Sequence, residues 1–440
     1  MKKIVVGILA LSMFVSESKA TQAENFSDTT RSYSLPIFTP LANGKAGLSW
    51  TEVDKDGVNY FYYATTDQQG KDITSKKVIY ASKGLRSSRL MRSKVHAKKD
   101  GTLVAVFGFS PQAAAPAVSE AHPAGDHAGH SHGAPATPPT PPTPPKGPAT
   151  ASTNGKPGEG KPAPRKGRGP SDLQIVFAES KDGGNTWSEP KRIHEDITLG
   201  VLRGFYDSVL MPNDELAVAY LKDTGKPHER HLHIITTKNG VPQEERLLDS
   251  KSCDCCPVNF LVDAQGQVNI YFRANNDNIR DMAKIVSKDN GQTFSAQQII
   301  SADNWEINGC PHSGPVSTVG GKDNVIAWFS AAPEKPGVRV ATQSGQRLLV
   351  LDPSATNPYL LKSPKGAVML YEEAATKNDQ AISKVTYKAI SATPSKVDVA
   401  KTIGEGTNPT GIVVNNQLWV AYEVKGSNDK TMVKLAQVKL

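Results

Sequence analysis

Apolar and polar residues alternate along most of this chain with the two-residue period of half-buried strands, in short runs closed by Gly, Asn, Asp or Pro. Gly47 to Val53 shows the pattern cleanly, and the tyrosines at 60, 62 and 63 suit a sheet surface better than a helix. A second unit opens near Lys94, turns at Lys99-Asp100-Gly101 and continues into the buried run Leu103 to Phe107. Further units open at Gly204, Cys253, Gly314, Asn357 and Asn408. With the unit that contains Pro36 to Leu41, this makes seven starts at a spacing of roughly fifty residues. Each unit is too small to bury both of its faces, which predicts radial repetition. The expected fold is all-β, a β-propeller of four-stranded blades. Seven blades fit the count, and six is the alternative if the first and last units share one closing blade. The propeller is expected to span residues 33–440 as one domain.

Two stretches fall outside the pattern. Residues 1–20 read as a secretory signal, with Lys2 and Lys3 before the short apolar run Ile4 to Val15 and the small-x-small site Ser18-Lys19-Ala20; cleavage after Ala23 is the alternative. The expected location is therefore periplasmic or secreted, with no membrane span in the mature chain. Residues 111–170 are rich in Pro, Ala, Gly and Thr and bury too little to offset ordering, so they are expected to be a disordered insertion within one unit. His122, His127, His130 and His132 lie inside it and suit weak chelation of Cu(II), Ni(II) or Zn(II). The net charge of +8 is modest for 440 residues, and part of it sits in Lys161 to Arg168, so it is no nucleic-acid footprint.

Two turns share the pattern S-x-D-x-G-x-T-aromatic. One is built on Ser180, Asp182, Gly184 and Trp187, the other on Ser287, Asp289, Gly291 and Phe294; Thr237-Lys238-Asn239-Gly240 is a degenerate relative. The carboxylate can accept backbone N–H bonds within the turn, and the glycine supplies a positive φ. The motif is similar to the Asp-box of sialidase-like (BNR-repeat) propellers, in which it is structural. A sialidase resemblance implies an arginine triad, a Tyr–Glu pair and an acidic residue. Tyr33-Ser34-Leu35-Pro36-Ile37 lacks the arginine of that family's first motif. Arg203, Arg273 and Arg280 are the candidate carboxylate clamps, Asp207 and Asp281 the candidate acids, and Tyr371 the candidate tyrosine, with Tyr422-Glu423 a second adjacent pair. A closer resemblance is to secreted bacterial sialidase-like proteins carrying C-x-C-C-P, Y-x-R, I-R-D and W-x-I-N-G-C-P, here Cys253 to Pro257, Tyr271 to Arg273, Ile279 to Asp281 and Trp305 to Pro311.

All four cysteines, Cys253, Cys255, Cys256 and Cys310, lie in this stretch. In an exported protein two disulfides are the first reading: if 255–256 is extended, one of the pair reaches Cys310 while the other turns back to Cys253. The competing reading joins the four thiols with His312 as ligands for copper or zinc. A redox-active thiol pair is the third. His231 and His233 share a strand face and, with His228, form a lesser metal candidate. The functions that follow are recognition or hydrolysis of a glycan or other anionic ligand at the propeller mouth, non-catalytic handling of copper or zinc, or a protein-interaction scaffold. The fold itself requires no cofactor.

Overall fold

The computed structural model describes residues 19–20, 25–67, 73–111, 172–198, 200–321, 323–391, 399–426 and 428–440. The signal segment, apart from residues 19–20, and the histidine-rich insertion, apart from residue 111, lie outside these. Beside a two-stranded pair, Lys19–Ala20 with Ile73–Thr74, seven larger antiparallel sheets follow one another in chain order. Their innermost strands are Ser32–Pro40, Lys94–Ala97, Arg203–Leu210, Asn259–Val262, Val316–Val319, Ala355–Ser363 and Thr407–Val414, which open blades 1 to 7. Each packs beside the next, and the seventh packs beside the first, which closes the ring. The chain is a seven-bladed β-propeller. The hydrophobic layers lie between successive sheets: Trp50, Ala421 and Val433 join blades 1 and 7, and Met211, Phe260 and Phe272 join blades 3 and 4. Middle strands such as Ala46–Val53, Leu103–Phe109 and Leu216–Asp223 are buried on both faces, so the half-buried alternation expected at Gly47 to Val53 is corrected to a fully covered strand.

The seven-bladed ring of four-stranded blades is the fold expected, and the blades vary only in detail. Blades 1, 4, 5 and 6 have four strands, blades 2 and 3 gain a short fifth, and blade 7 has three among the described residues. Leu103–Phe109 and Gln174–Ser180 are neighbours in one sheet, so residues 112–171 connect adjacent strands of blade 2. No helix among the described residues is long and apolar enough to cross a membrane.

Both Asp-boxes join the third and fourth strands of a blade. Asp182 Oδ1 accepts from Thr186 N at 2.9 Å and Oδ2 from Thr186 Oγ1 at 2.6 Å, while Ser180 Oγ accepts from Gly184 N at 2.9 Å. Asp289, Thr293, Ser287 and Gly291 repeat these bonds. The degenerate turn recovers the missing carboxylate from a neighbouring strand end: Glu215 accepts from Thr237 Oγ1 at 2.5 Å and Asn239 N at 2.6 Å. In an up-and-down blade these turns lie on one face of the ring. The segments that lead into each innermost strand lie on the other, where the chemistry gathers.

Candidate metal centre

The segment before blade 4 is not extended at Cys255-Cys256, as the opposite-face argument assumed. It is a turn, which brings the three sulfurs to one side. Its ends are pinned: Cys253 N donates to Arg273 O at 2.8 Å, Val258 N to Phe205 O at 3.0 Å, and Ser252 Oγ to Arg230 O at 2.9 Å. Arg230 Nη1 also donates to Asp254 O, inside the turn. Cys253 Sγ then lies 3.1 Å from Cys256 Sγ and 3.8 Å from Cys255 Sγ, with all three buried. The four cysteines are free thiols in this structure.

A second loop, leading into blade 5, carries Cys310 and His312. It is held by Arg273, whose guanidinium donates to Ser313 O at 3.1 Å, Ser313 Oγ at 3.1 Å, Arg280 O at 2.7 Å and Phe329 O at 2.7 Å. Gly314 allows the two loops to touch, since a Cβ there would stand 2.2 Å from Pro257 O. Ligand atoms of Cys255, Cys310 and His312 consequently fall within 4.8 Å of one another, as do those of Cys253, Cys255 and Cys256.

The electrostatics favour negative charge here. Arg280 is 6% exposed, and its Nε and Nη1 have no hydrogen-bond partner; its nearest carboxylate contact, Asp254 Oδ1, is 4.0 Å away. A buried, underused guanidinium is costly unless anionic charge stands nearby. Contacts with the Cys255 and Cys256 thiols, with Arg280 behind them, hold the Cys253 thiol far below its usual value. Cys255 is pushed up by its two thiol neighbours, and Cys256 by burial. A metal–sulfur distance of about 2.3 Å sets tetrahedral or trigonal sulfurs about 3.8–4.0 Å apart; the Cys253–Cys255 pair stands at 3.8 Å, and the Cys253–Cys256 pair, at 3.1 Å, must open to admit an ion.

The candidate sialidase residues are placed differently from one another. Arg203 is fully buried and pairs with Asp196. Arg273 is spent on the four bonds above. Arg280 faces the thiols. These three arginines therefore do not converge as an open carboxylate clamp. Asp207 is buried against Lys94 and accepts from Phe260 N at 2.9 Å. Asp281 is buried, which raises its pKa, and accepts from Trp305 N at 3.4 Å. Tyr371 lies in the hydrophobic layer between blades 5 and 6. His231 and His233 approach different carboxylates, Glu229 and Glu245, each at about 3.5 Å.

The axial mouth holds residues that spacing did not single out. The segment between blades 1 and 2 crosses the ring: Arg89 Nη1 donates to Asn357 Oδ1 of blade 6 at 2.5 Å. Arg92 follows it, with Nη1 unpartnered and with Tyr359, Glu423 and Glu372 as its nearest electrostatic partners. Arg230, Asp254 and His228 were likewise not assigned to the thiol site from spacing. Asp254 at least sits between two of its cysteines, but only the fold brings blade 3 beside them.

A family model described as a BNR repeat-like domain matches residues 163–311. No curated protein matches the chain. Among solved structures, a protein of unknown function from Dyadobacter fermentans is 12% identical at a TM-score of 0.49, covering 93% of this chain and 95% of that one. The Hadza microbial sialidase Hz136 is 12% identical at 0.47, covering 96% and 68%. The polysaccharide lyase Uly1 is 9% identical at 0.48, covering 92% and 89%. The chain is a seven-bladed β-propeller, and its segment 163–311, which contains both Asp-box turns, is similar to a BNR repeat-like domain.

Proposed function

We propose that this chain is an exported, non-catalytic copper-handling propeller that holds Cu(I) on Cys253, Cys255 and Cys256. The observation that carries this reading is the buried trio of thiols within 4.8 Å, faced by the unpartnered guanidinium of Arg280. Soft thiolates select Cu(I), whereas a structural zinc site is almost always closed by four ligands. Among the described residues the buried set comprises three. Arg273 and Arg280 would then offset thiolate charge instead of gripping a substrate carboxylate. The test is an anaerobic Cu(I) titration of the reduced full chain against a coloured Cu(I) chelator. One tightly held equivalent is expected, lost in Cys253→Ser and Cys256→Ser. Two disulfides in protein isolated from its own compartment, shown by unchanged mass after alkylation without reductant, would overturn the reading.

A second reading, recognition of an anionic glycan, is favoured by the unpartnered Arg92 beside Tyr359 and Glu372 at the axial mouth. Turnover of a fluorogenic sialoside, lost in Arg92→Ala, would support a hydrolase; no turnover from acidic to neutral pH would sink that version.

A further inference from the structure

The buried trio is the innermost of three overlapping donor sets. The outermost consists of His228, Asp254 and Cys310, with His228 and Cys310 exposed. The middle one is Cys255, Cys310 and His312, and the inner one is Cys253, Cys255 and Cys256. Cys310 belongs to the first two, and Cys255 to the last two. Donor chemistry changes along the series from N, O and S, through two sulfurs and a nitrogen, to three sulfurs. The first two sets each hold two exposed residues and one buried, and the third is wholly buried.

Three blades supply the series. His228 comes from the turn between the second and third strands of blade 3, the trio from the loop into blade 4, and Cys310 with His312 from the loop into blade 5. His228 Nδ1 lies 3.8 Å from Asp254 Oδ2. His312 Nδ1 lies 3.0 Å from Cys310 O, the kind of backbone bond that fixes the ring of a ligating imidazole. Both histidines hold a left-handed backbone, with φ of 57° and 49°. Non-glycine residues adopt that conformation at a cost, and a ring nitrogen of each lies within 4.8 Å of Cys310 Sγ.

We propose that these sets form a relay by which Cu(I) passes from an exposed landing site to the buried trio, a proposal that rests on the Cu(I) reading above. Each step is a ligand exchange with no change in oxidation state. Copper on His228, Asp254 and Cys310 gains Cys255 and His312 while His228 and Asp254 dissociate. It then gains Cys253 and Cys256 while Cys310 and His312 leave. Each incoming thiol that is still protonated releases its proton to solvent, and the departing Cys310 thiolate takes one up. The shared cysteines keep the ion bound throughout, so it is never released between sites. Softer donors at each stage give the direction.

The experiment follows transfer of Cu(I) from its bicinchoninate complex to the reduced full chain by stopped flow, together with the equilibrium affinity. His228→Ala and His312→Ala are expected to slow loading by about tenfold or more, while the equilibrium constant moves less than twofold. Cys310→Ser slows loading most, and Cys253→Ser abolishes tight binding at equilibrium. Wild-type loading rates in His228→Ala and Cys310→Ser, with tight binding intact, would overturn the relay and leave the buried site standing. Loss of equilibrium affinity in Cys310→Ser equal to that in Cys253→Ser would make Cys310 a permanent ligand of a single site, which also overturns it. No uptake by the wild-type chain would remove the Cu(I) reading itself.

Discussion

Gly314 and Arg280 carry the thiol site at the scale of single residues. Gly314 needs no unusual backbone; what it supplies is space for Pro257 O. A methyl group there must push the two loops apart. Gly314→Ala is expected to cost about 1–3 kcal/mol, typical of overpacking, and to separate Cys255 from Cys310. Urea unfolding with Cu(I) titration checks this, and normal stability with normal loading would refute it. Arg280 acts through charge. Its replacement by Met removes the positive charge facing the thiols and is expected to weaken Cu(I) binding in the chelator titration, and an unchanged affinity would refute that role. Neither role is visible in spacing: Gly314 reads as the opening of a unit, and Arg280 as a candidate carboxylate clamp. Tyr371 errs in the other direction, as a tyrosine beside a glutamate whose ring belongs to the core.

The Asp-box shows how far one element can be read in advance. Both copies form the bonds that their side chains imply, and burial contributes little, since Asp182 and Asp289 are solvent-exposed carboxylates. Hydrogen bonds from the threonine, first its hydroxyl and then its backbone N–H, hold both carboxyls down to about 2 from an ordinary 3.8. A depressed carboxylate stabilises the fold above its unfolded pKa and loses that contribution as pH falls through its folded one. Wild-type Tm is therefore expected to drop between about pH 4 and pH 2. Asp289→Ala should lower Tm at pH 7 and flatten that part of the profile; an unchanged acid limb in the variant would contradict the assignment. His96 and His194, both pushed down to about 4 with burial as the largest cause, act at higher pH with the same sign. Their contributions are complete above the unfolded histidine value of about 6.5 and fade as pH falls toward 4. The third turn, by contrast, was legible only as degenerate. Its carboxylate comes from Glu215, more than twenty residues earlier, and no local pattern reports it.

At the scale of the whole molecule, no strand from the far end of the chain pairs into blade 7 among the described residues, where that blade has three strands. Side chains make the clasp instead. Glu423 Oε1 accepts from Leu35 N at 2.7 Å, and Thr410 Oγ1 donates to Pro36 O at 2.8 Å. Leu35 sits at a left-handed bulge, a position repeated at Phe205, Asn357 and Asn408 in blades 3, 6 and 7. Glu372 repeats the clasp on Asn408 N at 2.9 Å. Glu423→Ala strands a buried N–H and is expected to cost about 1–3 kcal/mol in denaturant unfolding. Burial raises the Glu423 pKa, so its ionised form costs stability as pH rises through that value. Glu423→Gln, which retains an acceptor, should equal or exceed the wild type at pH 7. A Gln variant as unstable as the Ala variant would show that charge makes the clasp.

Short-range information in the sequence was enough for the strands, the seven units and the two complete Asp-boxes, because alternation and turn chemistry act within a few residues. The four cysteines and His312 were also visible as a set. What the sequence could not decide was which sulfurs face one another, since that depends on a turn at Cys255-Cys256 pinned by Arg273 and Phe205 from two blades. Nor could it show that His228 and Asp254 stand beside Cys310, or that Arg92 reaches the partners of blades 6 and 7. Those meetings are made by closing a ring, which brings together residues tens to hundreds of positions apart, and only the tertiary structure fixes them.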